Sequence, residues 1–349
     1  MTRNTLYTAL SGRILVSAGF VLAFANTAAA QRHVKPARQP AEPPAPVAPA
    51  APAATAQIPG FAVLDASGQV RRWLVGGVPA APMPFGGAGI RAIAVGPQGL
   101  FEVDAHGLPS IWSWSGVRLQ LGTQPDLCGR PALAVSQDGS IIAVGGADAH
   151  ISIFSGATLH QVARFRGHAA PVRCLAFAPA DNLLVSGGDD RLVRVWRAPS
   201  SGVVSYRYDI PAHDGAVTGV AVAPNDSAIA SVSTDGYLKT WSLQSGDLMY
   251  RARVSQQAVL CVAWSPNSRR LATGSADGKV RVWRVVSGAP SQLTADTGSA
   301  VHAIVWSGDG AVLLAGSEDG SVRCFAVTGV LIKLFAGNGA AARTIVLTP

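Results

Sequence analysis

Hydrophobic and polar positions along this chain fall into one short pattern that keeps returning. Its clearest copy is residues 258–284, AVLCVAWSPNSRRLATGSADGKVRVWR. The fully apolar run from Val259 to Trp264 predicts a buried strand, and Ser265-Pro266-Asn267-Ser268 punctuates it as a turn. A second short strand is expected over Leu271–Ser275. Asp277-Gly278 then predicts a tight hairpin turn, because glycine accepts positive φ without steric cost. In the strand that follows, Lys279 and Arg281 alternate outward with Val280 and Val282 inward. Together these segments form one antiparallel meander, which cannot bury both of its faces alone.

The same unit returns at 300–326, 216–242 and 171–197, with weaker copies at 130–155 and 90–113. An aromatic closes each copy: Trp112, Phe154, Trp196, Trp241, Trp283 and Phe325. The steps between them are 42, 42, 45, 42 and 42 residues, a period that marks a repeat architecture.

Three features carry a family resemblance: Gly167-His168 ahead of one unit, Ala212-His213 ahead of another, and an Asp six residues before the closing aromatic. That Asp is Asp148, Asp190, Asp235, Asp277 and Asp319. The pattern resembles the WD-repeat family over roughly residues 58–349. The resemblance implies an all-β, seven-bladed propeller of four-stranded antiparallel blades. It says little about activity, since one fold hosts many functions.

The two ends of the repeat region supply the seventh blade. Residues 61–73, FAVLDASGQVRRW, align without a gap on Leu271–Trp283, with Ser67-Gly68 at the hairpin, but lack the preceding apolar strand. That strand stands at the far end of the chain, Arg343–Pro349, RTIVLTP, which matches Leu260–Pro266. A ring closed in this way has no exposed inner sheet edge to protect. An open solenoid would need polar capping repeats, which this sequence lacks.

The N-terminus reads differently. Arg3 and Arg13 precede an apolar run, Ile14–Ala25, and Ala28-Ala29-Ala30 offers small residues at a cleavage site. Residues 1–30 are therefore expected to be a signal peptide. The run is shorter than the ~20 apolar residues of a membrane span. An uncleaved anchor is the alternative. Residues 31–57 are rich in Pro and Ala, which predicts a disordered, extended spacer. Formal charge is +8 over the chain. About +4 remains on the repeats once the leader and spacer are set aside, with Lys and Arg dispersed, so nucleic-acid binding gains no support.

Two sets of residues imitate catalytic triads: His168, Ser186, Asp190 with Trp196, and His213, Ser231, Asp235 with Trp241. The spacing is the same in both, 18 from His to Ser, 4 to Asp and 6 to Trp. In the WD-repeat family the matching residues form a buried hydrogen-bond chain that ties turns and strands together. A nucleophile would also need an oxyanion site and an open cleft, and the sequence offers neither. Ser255 and Thr297 stand at the His position ahead of Asp277 and Asp319. Those Asp side chains are expected to bond backbone N–H groups in their own turns. Cys128, Cys174, Cys261 and Cys324 show no CxxC spacing, so no metal cluster or attached haem is expected, and any disulfide is left open. His150 and His302 lack ligand spacing. No cofactor is expected.

The resemblance places partner binding on the upper face of the ring. There the innermost strands would present Arg91, Pro131, Arg173, Thr218, Leu260, His302 and Arg343, with Asp189 and Glu318 nearby. Arginine favours bidentate capture of carboxylates, so the expected partner is a protein with an acidic segment. The function expected is a non-catalytic scaffold of the bacterial cell envelope, periplasmic or secreted, acting as a monomer. The alternative is an enzyme or a small-ligand or metal-binding protein using the central channel.

Overall fold

A computed structural model describes residues 58–80, 89–105, 108–115, 117–121, 131–180, 183–198, 203–285 and 290–348. The expected signal peptide, residues 1–30, the spacer, residues 31–57, and Cys128 lie outside them.

Among the described residues, twenty-eight strands form seven four-stranded antiparallel sheets. The closing blade, blade 7, begins with β1 (Gly60–Asp65), β2 (Val70–Leu74) and β3 (Val78–Pro79). Blade 1 holds β4 (Ala92–Gly96), β5 (Gly99–Val103), β6 (Pro109–Trp112) and β7 (Arg118–Leu121). Blade 2 holds β8 (Ala132–Val135), β9 (Ile141–Gly145), β10 (His150–Ser155) and β11 (Gln161–Arg166). Blade 3 holds β12 (Val172–Phe177), β13 (Leu183–Gly188), β14 (Leu192–Arg197) and β15 (Ser205–Pro211). Blade 4 holds β16 (Val217–Val222), β17 (Ala228–Ser233), β18 (Tyr237–Ser242) and β19 (Leu248–Arg253). Blade 5 holds β20 (Val259–Trp264), β21 (Arg270–Ser275), β22 (Lys279–Arg284) and β23 (Pro290–Asp296). Blade 6 holds β24 (Val301–Trp306), β25 (Val312–Ser317), β26 (Val322–Ala326) and β27 (Leu331–Phe335). The last strand, β28 (Ala342–Thr348), pairs antiparallel with β1, so the closing sheet runs β28-β1-β2-β3. The innermost strands β4, β8, β12, β16, β20, β24 and β28 touch in that order, and β28 returns to β4. The fold is a closed seven-bladed propeller.

Burial follows the strand order within a blade. The second strands β9, β13, β17 and β25 are buried at every residue, because each lies inside its sheet and between neighbouring blades. The outermost strands alternate or are exposed, as in β11 and β15. Apolar clusters fill the gaps between blades. One of them joins Val312, Leu314 and Phe335 of blade 6 to Phe61 and Trp73 of blade 7. Phe61 stacks on Trp73 at 4.8 Å between ring centroids, and Phe335 meets Phe61 edge-on at 5.0 Å. Aromatic packing of this kind adds to area burial where the ring closes.

The hairpin between the second and third strands needs a left-handed residue after the turn Asp. Gly236, Gly278 and Gly320 take it at φ of 83°, 76° and 77°. In blades 2 and 3 the same position is Ala149, φ 67°, and Arg191, φ 70°. A side chain there costs about 1–2 kcal/mol against glycine, and the fixed turn geometry holds it in place. Ala149→Gly and Arg191→Gly should each stabilise the protein by about 1 kcal/mol in denaturant melts. Unchanged or lower stability for both would show that the two turns are not strained.

Candidate partner-binding face

Five of the seven inner strands begin with a β-bulge at one equivalent position. The pairing shifts between Val172 and Cys174, Val217 and Gly219, Val259 and Cys261, and Val301 and Ala303. In the closing blade it shifts between the partners of Asp65 and Leu64, Ala342 and Thr344. The unpaired residues are Arg173, Thr218, Leu260, His302 and Arg343. A bulge bends the strand and re-aims one side chain. The repeat thus leaves one unpaired residue near the start of each of five inner strands, and Thr218 turns its hydroxyl to the carbonyls of Val232 and Val259. In blades 1 and 2, Arg91 and Pro131 stand directly before the inner strand and no bulge occurs there.

The residues at the starts of the inner strands of blades 7, 1, 2, 3 and 6 fall into two groups with different chemistry. Arg91, Pro131, Arg173 and Arg343 line one pocket of about 200 Å³ together with Asp65, Ile90 and neighbours in the closing blade. Residues from blades 7, 1, 2 and 3 therefore surround one space at the channel mouth. Asp189 holds Arg173 in a bidentate fork, Nε at 2.8 Å and Nη2 at 2.7 Å. That hydrogen bond raises the guanidinium pKa above its ordinary value. The second group centres on His302. Its Nε2 bonds Glu318, and Arg343 Nη1 lies 3.3 Å from its Nδ1. Arg343 also approaches Glu318 at 4.0 Å and so bridges the two groups. Among the described residues Arg91 is exposed and has no acidic partner. Asp65 turns its carboxylate to Ser67, Gln69 and Asn338 rather than to the arginines.

The residues that imitate triads lie elsewhere, in two buried chains. Trp196 Nε1–H can only donate, and it meets Ser186 Oγ at 2.9 Å. The serine proton then goes to His168 Nε2 at 2.8 Å, and His168 Nδ1–H goes to Asp190 at 2.8 Å. Trp241, Ser231, His213 and Asp235 repeat this order at 2.8, 2.9 and 2.9 Å. A second ring proton would leave the serine hydroxyl proton without an acceptor, so each imidazole is neutral. Burial pushes both His168 and His213 below the usual 6.5, against the pull of the Asp partner. Burial would raise Asp190 and Asp235. Backbone N–H donors and the histidines outweigh it and hold both below 3.8. His168 and Ser186 are 2% and 0% exposed, so no substrate reaches this serine in the folded blade.

Residues 131–349 match the family model described as the IFT122 first beta-propeller. The chain belongs to the WD-repeat propeller family. It is 30% identical over 148 residues to Protein ROOT INITIATION DEFECTIVE 3 of Arabidopsis thaliana, covering 40% of this chain and 34% of that protein. It is 35% identical over 130 residues to the Periodic tryptophan protein 2 homolog of Neurospora crassa, covering 36% and 14%. It is 30% identical over 112 residues to Pre-mRNA-processing factor 19 of Mus musculus, covering 32% and 22%. The matches thus span about a third or less of those relatives' lengths. Among solved structures, the computationally designed Ika8 protein superposes with a TM-score of 0.64 at 21% identity, covering 81% of this chain and 86% of that one. That likeness shows the fold alone.

Within this WD-repeat frame the turn Asp serves every blade by a local variation. Asp148, Asp235, Asp277 and Asp319 each accept the N–H two residues on. Asp277 also takes the Ser255 hydroxyl at 2.8 Å, in place of an imidazole. Thr297 instead bonds the carbonyls of Gly278 and Ser299. Sequence reasoning missed the equivalent acids of blades 7 and 1. Asp65 and Asp104 stand eight residues before Trp73 and Trp112 and accept the N–H four residues on, from Gln69 and Leu108. The search position six residues back passed over them, although an Asp before each turn was the available signal.

Cys174, Cys261 and Cys324 are free thiols, and burial pushes them up to about 12, 12 and 11. They pack as small unreactive core residues. No group of three His, Cys, Asp or Glu side chains converges among the described residues.

The buried histidines make stability depend on pH. The folded state resists their protonation, while the unfolded chain binds the proton near 6.5. Their contribution is full above that value and is lost as pH falls below it. The melting temperature should drop between about pH 7 and pH 5, and a His168→Gln, His213→Gln variant should show a flatter slope. Equal slopes in the two proteins would contradict the neutral-histidine chains. Ser186→Ala, which orphans two buried donors or acceptors, should cost about 1–3 kcal/mol.

Proposed function

We propose that this WD-repeat propeller is a non-catalytic platform of the bacterial cell envelope that binds a protein partner with an acidic segment on its upper face. The observation that carries the reading is the pocket bounded by Arg91, Arg173 and Arg343 at the channel mouth. Three arginines from separate blades line it on one ring. Asp189 fixes one of them before any partner arrives, which lowers the ordering cost of binding. Arg91 stands exposed beside it. Guanidinium groups set around one space select carboxylates by geometry as well as charge. His302, Asp189 and Glu318 extend the surface and favour a partner segment of mixed charge with a net acidic tip.

The family fits a binding role, since WD-repeat propellers typically serve as protein-interaction scaffolds. One relative in Danio rerio, 32% identical over 125 residues, is named p21-activated protein kinase-interacting protein 1-like, a name that records binding to a protein. The envelope setting rests on residues 1–30 alone, with their early arginines, apolar run and Ala28-Ala29-Ala30 site. Removal of residues 1–30 would leave the Pro- and Ala-rich segment 31–57 as the mature N-terminus.

Arg91→Ala, Arg173→Ala and Arg343→Ala made together should abolish capture of the native partner from envelope extracts without lowering the melting temperature. Retained capture by this variant would refute the placement. The mature protein should begin at Gln31 by intact mass. A mass that includes Met1 to Ala30 would refute cleavage.

A further inference from the structure

The start of the inner strand offers the same paired seat in several blades, and two of them fill it with charge. In blade 3 the pair is Arg173 and Asp189, sixteen residues apart and joined as a fork. In blade 6 His302 and Glu318 stand at the same spacing and at the same bulge. The backbone fixes both acids alike. Asp189 N–H donates to the Pro171 carbonyl at 2.9 Å, and Glu318 N–H to the Ala300 carbonyl at 2.8 Å. Blades 4 and 5 make the same backbone bond from Thr234 and Ala276, and seat Thr218 and Leu260 there instead. A guanidinium in this seat keeps its charge at every working pH. An imidazole changes charge between about pH 5 and pH 8.

The hydrogen bonds of His302 fix its protonation. Arg343 Nη1 lies 3.3 Å from His302 Nδ1, and a guanidinium can only donate. Nδ1 is therefore the acceptor and carries no proton. The proton sits on Nε2, which donates to Glu318. In this form the charges of His302, Glu318 and Arg343 sum to zero. A proton added at Nδ1 removes the lone pair that Arg343 uses and sets imidazolium against guanidinium. The three side chains then sum to +1, while the Nε2–H bond to Glu318 gains charge assistance. Of the other elements packed on β24, β20 presents Leu260 and Cys261, whose thiol points to the Val301 carbonyl and is pushed up to about 12. β21 ends nearby at Ser275 and keeps Arg270 at its far end. Asp319, beside Glu318, turns to Ser321 and Arg323.

We propose that His302 makes the upper pocket respond to pH: its protonation releases Arg343 and turns a neutral trio of side chains cationic, so the pocket holds an acidic partner more tightly as pH falls. This rests on the acidic-partner reading above and adds its regulation. Arg343 is the link, because it contacts His302 on one side and lines the pocket with Arg91 and Arg173 on the other. Above the histidine range, part of its hydrogen-bonding capacity is spent on the imidazole. Below it, that donor is free for a carboxylate, and the imidazolium adds a charge alongside. His302 acts through Arg343 and is a positioning residue.

The test is fluorescence anisotropy of a labelled six-residue polyaspartate peptide titrated with the full chain at about pH 8 and about pH 5.5, a range over which aspartate stays ionised. The unmodified protein should bind the peptide about fivefold more tightly at the lower pH. His302→Gln keeps a donor and an acceptor but cannot gain a proton, and its affinity should change by less than about twofold over the same range. His302→Asn serves as an independent substitution that does not titrate. Melting curves at both pH values check that every protein is folded. The other histidines are common to all three proteins, so only the difference between them reports on His302. Equal or weaker binding at the lower pH overturns the proposal and leaves the acidic-partner reading standing. A fivefold gain that persists in both variants overturns it as well, because another group then carries the effect. No binding at either pH overturns the acidic-partner reading and this regulation with it.

Discussion

The pairing of β28 with β1 is the contact on which the other features depend. It joins residues more than 270 positions apart in sequence, from Gly60 opposite Thr348 to Leu64 opposite Thr344. Every other blade is built from consecutive strands and needs only short connections. This one blade is assembled from both ends, and it converts a row of sheets into a ring. The inner strand β28 then lies between β24 and β4, so blades 6 and 1 each gain a neighbour. Without that strand, the apolar faces of blades 6 and 1 would meet water and the aromatic trio around Trp73 would lose its support.

Closure also fixes the upper rim. The bulged residues Arg173, Thr218, Leu260, His302 and Arg343 share one height because their strands are related by the ring. Arg343 belongs to the closing strand itself. Its contact with His302 spans blades 6 and 7, and its place beside Arg91 spans blades 7 and 1. The cationic pocket is therefore a product of the closed ring, and no single blade could build it. The same repeat physics ties up the residues that imitate triads. The His, Ser and Asp side chains at 168, 186 and 190 are consumed in satisfying one another between turn and strand. Buried polar groups need partners, and a chain that pairs every donor with an acceptor rigidifies the hairpin it crosses.

Much of this was legible in the chain because the repeat forces the same residue types into the same places. The 42-residue period, the Asp-Gly turns and the apolar RTIVLTP at the far end were enough to predict seven blades and their closure. The choice of Arg91, Arg173 and Arg343 came from the family resemblance, which points to the first residues of the inner strands; the three share one pocket. Other features were not legible, for physical reasons. A bulge leaves no residue signature at Leu260 or Thr218, since the extra residue only changes pairing. Arg173 and Asp189 lie 16 positions apart, and only the meander brings them within 2.7 Å. The acids at 65 and 104 serve their turns from a shifted position that a fixed-offset pattern skips. LIKLF at 331–335 looks like a core strand by composition, yet its place at the blade's outer edge leaves most of it in water.

Hydrogen exchange of the backbone amides in β28, followed by mass spectrometry on the full chain, tests closure most directly. If the ring depends on that strand, peptides covering residues 342–348 will exchange as slowly as those covering the buried β13 and β17, because all three open only when the whole propeller unfolds. Fast exchange of 342–348 beside a still-protected β13 would mean that the strand frays independently, and the account of a ring held by its last strand would be wrong.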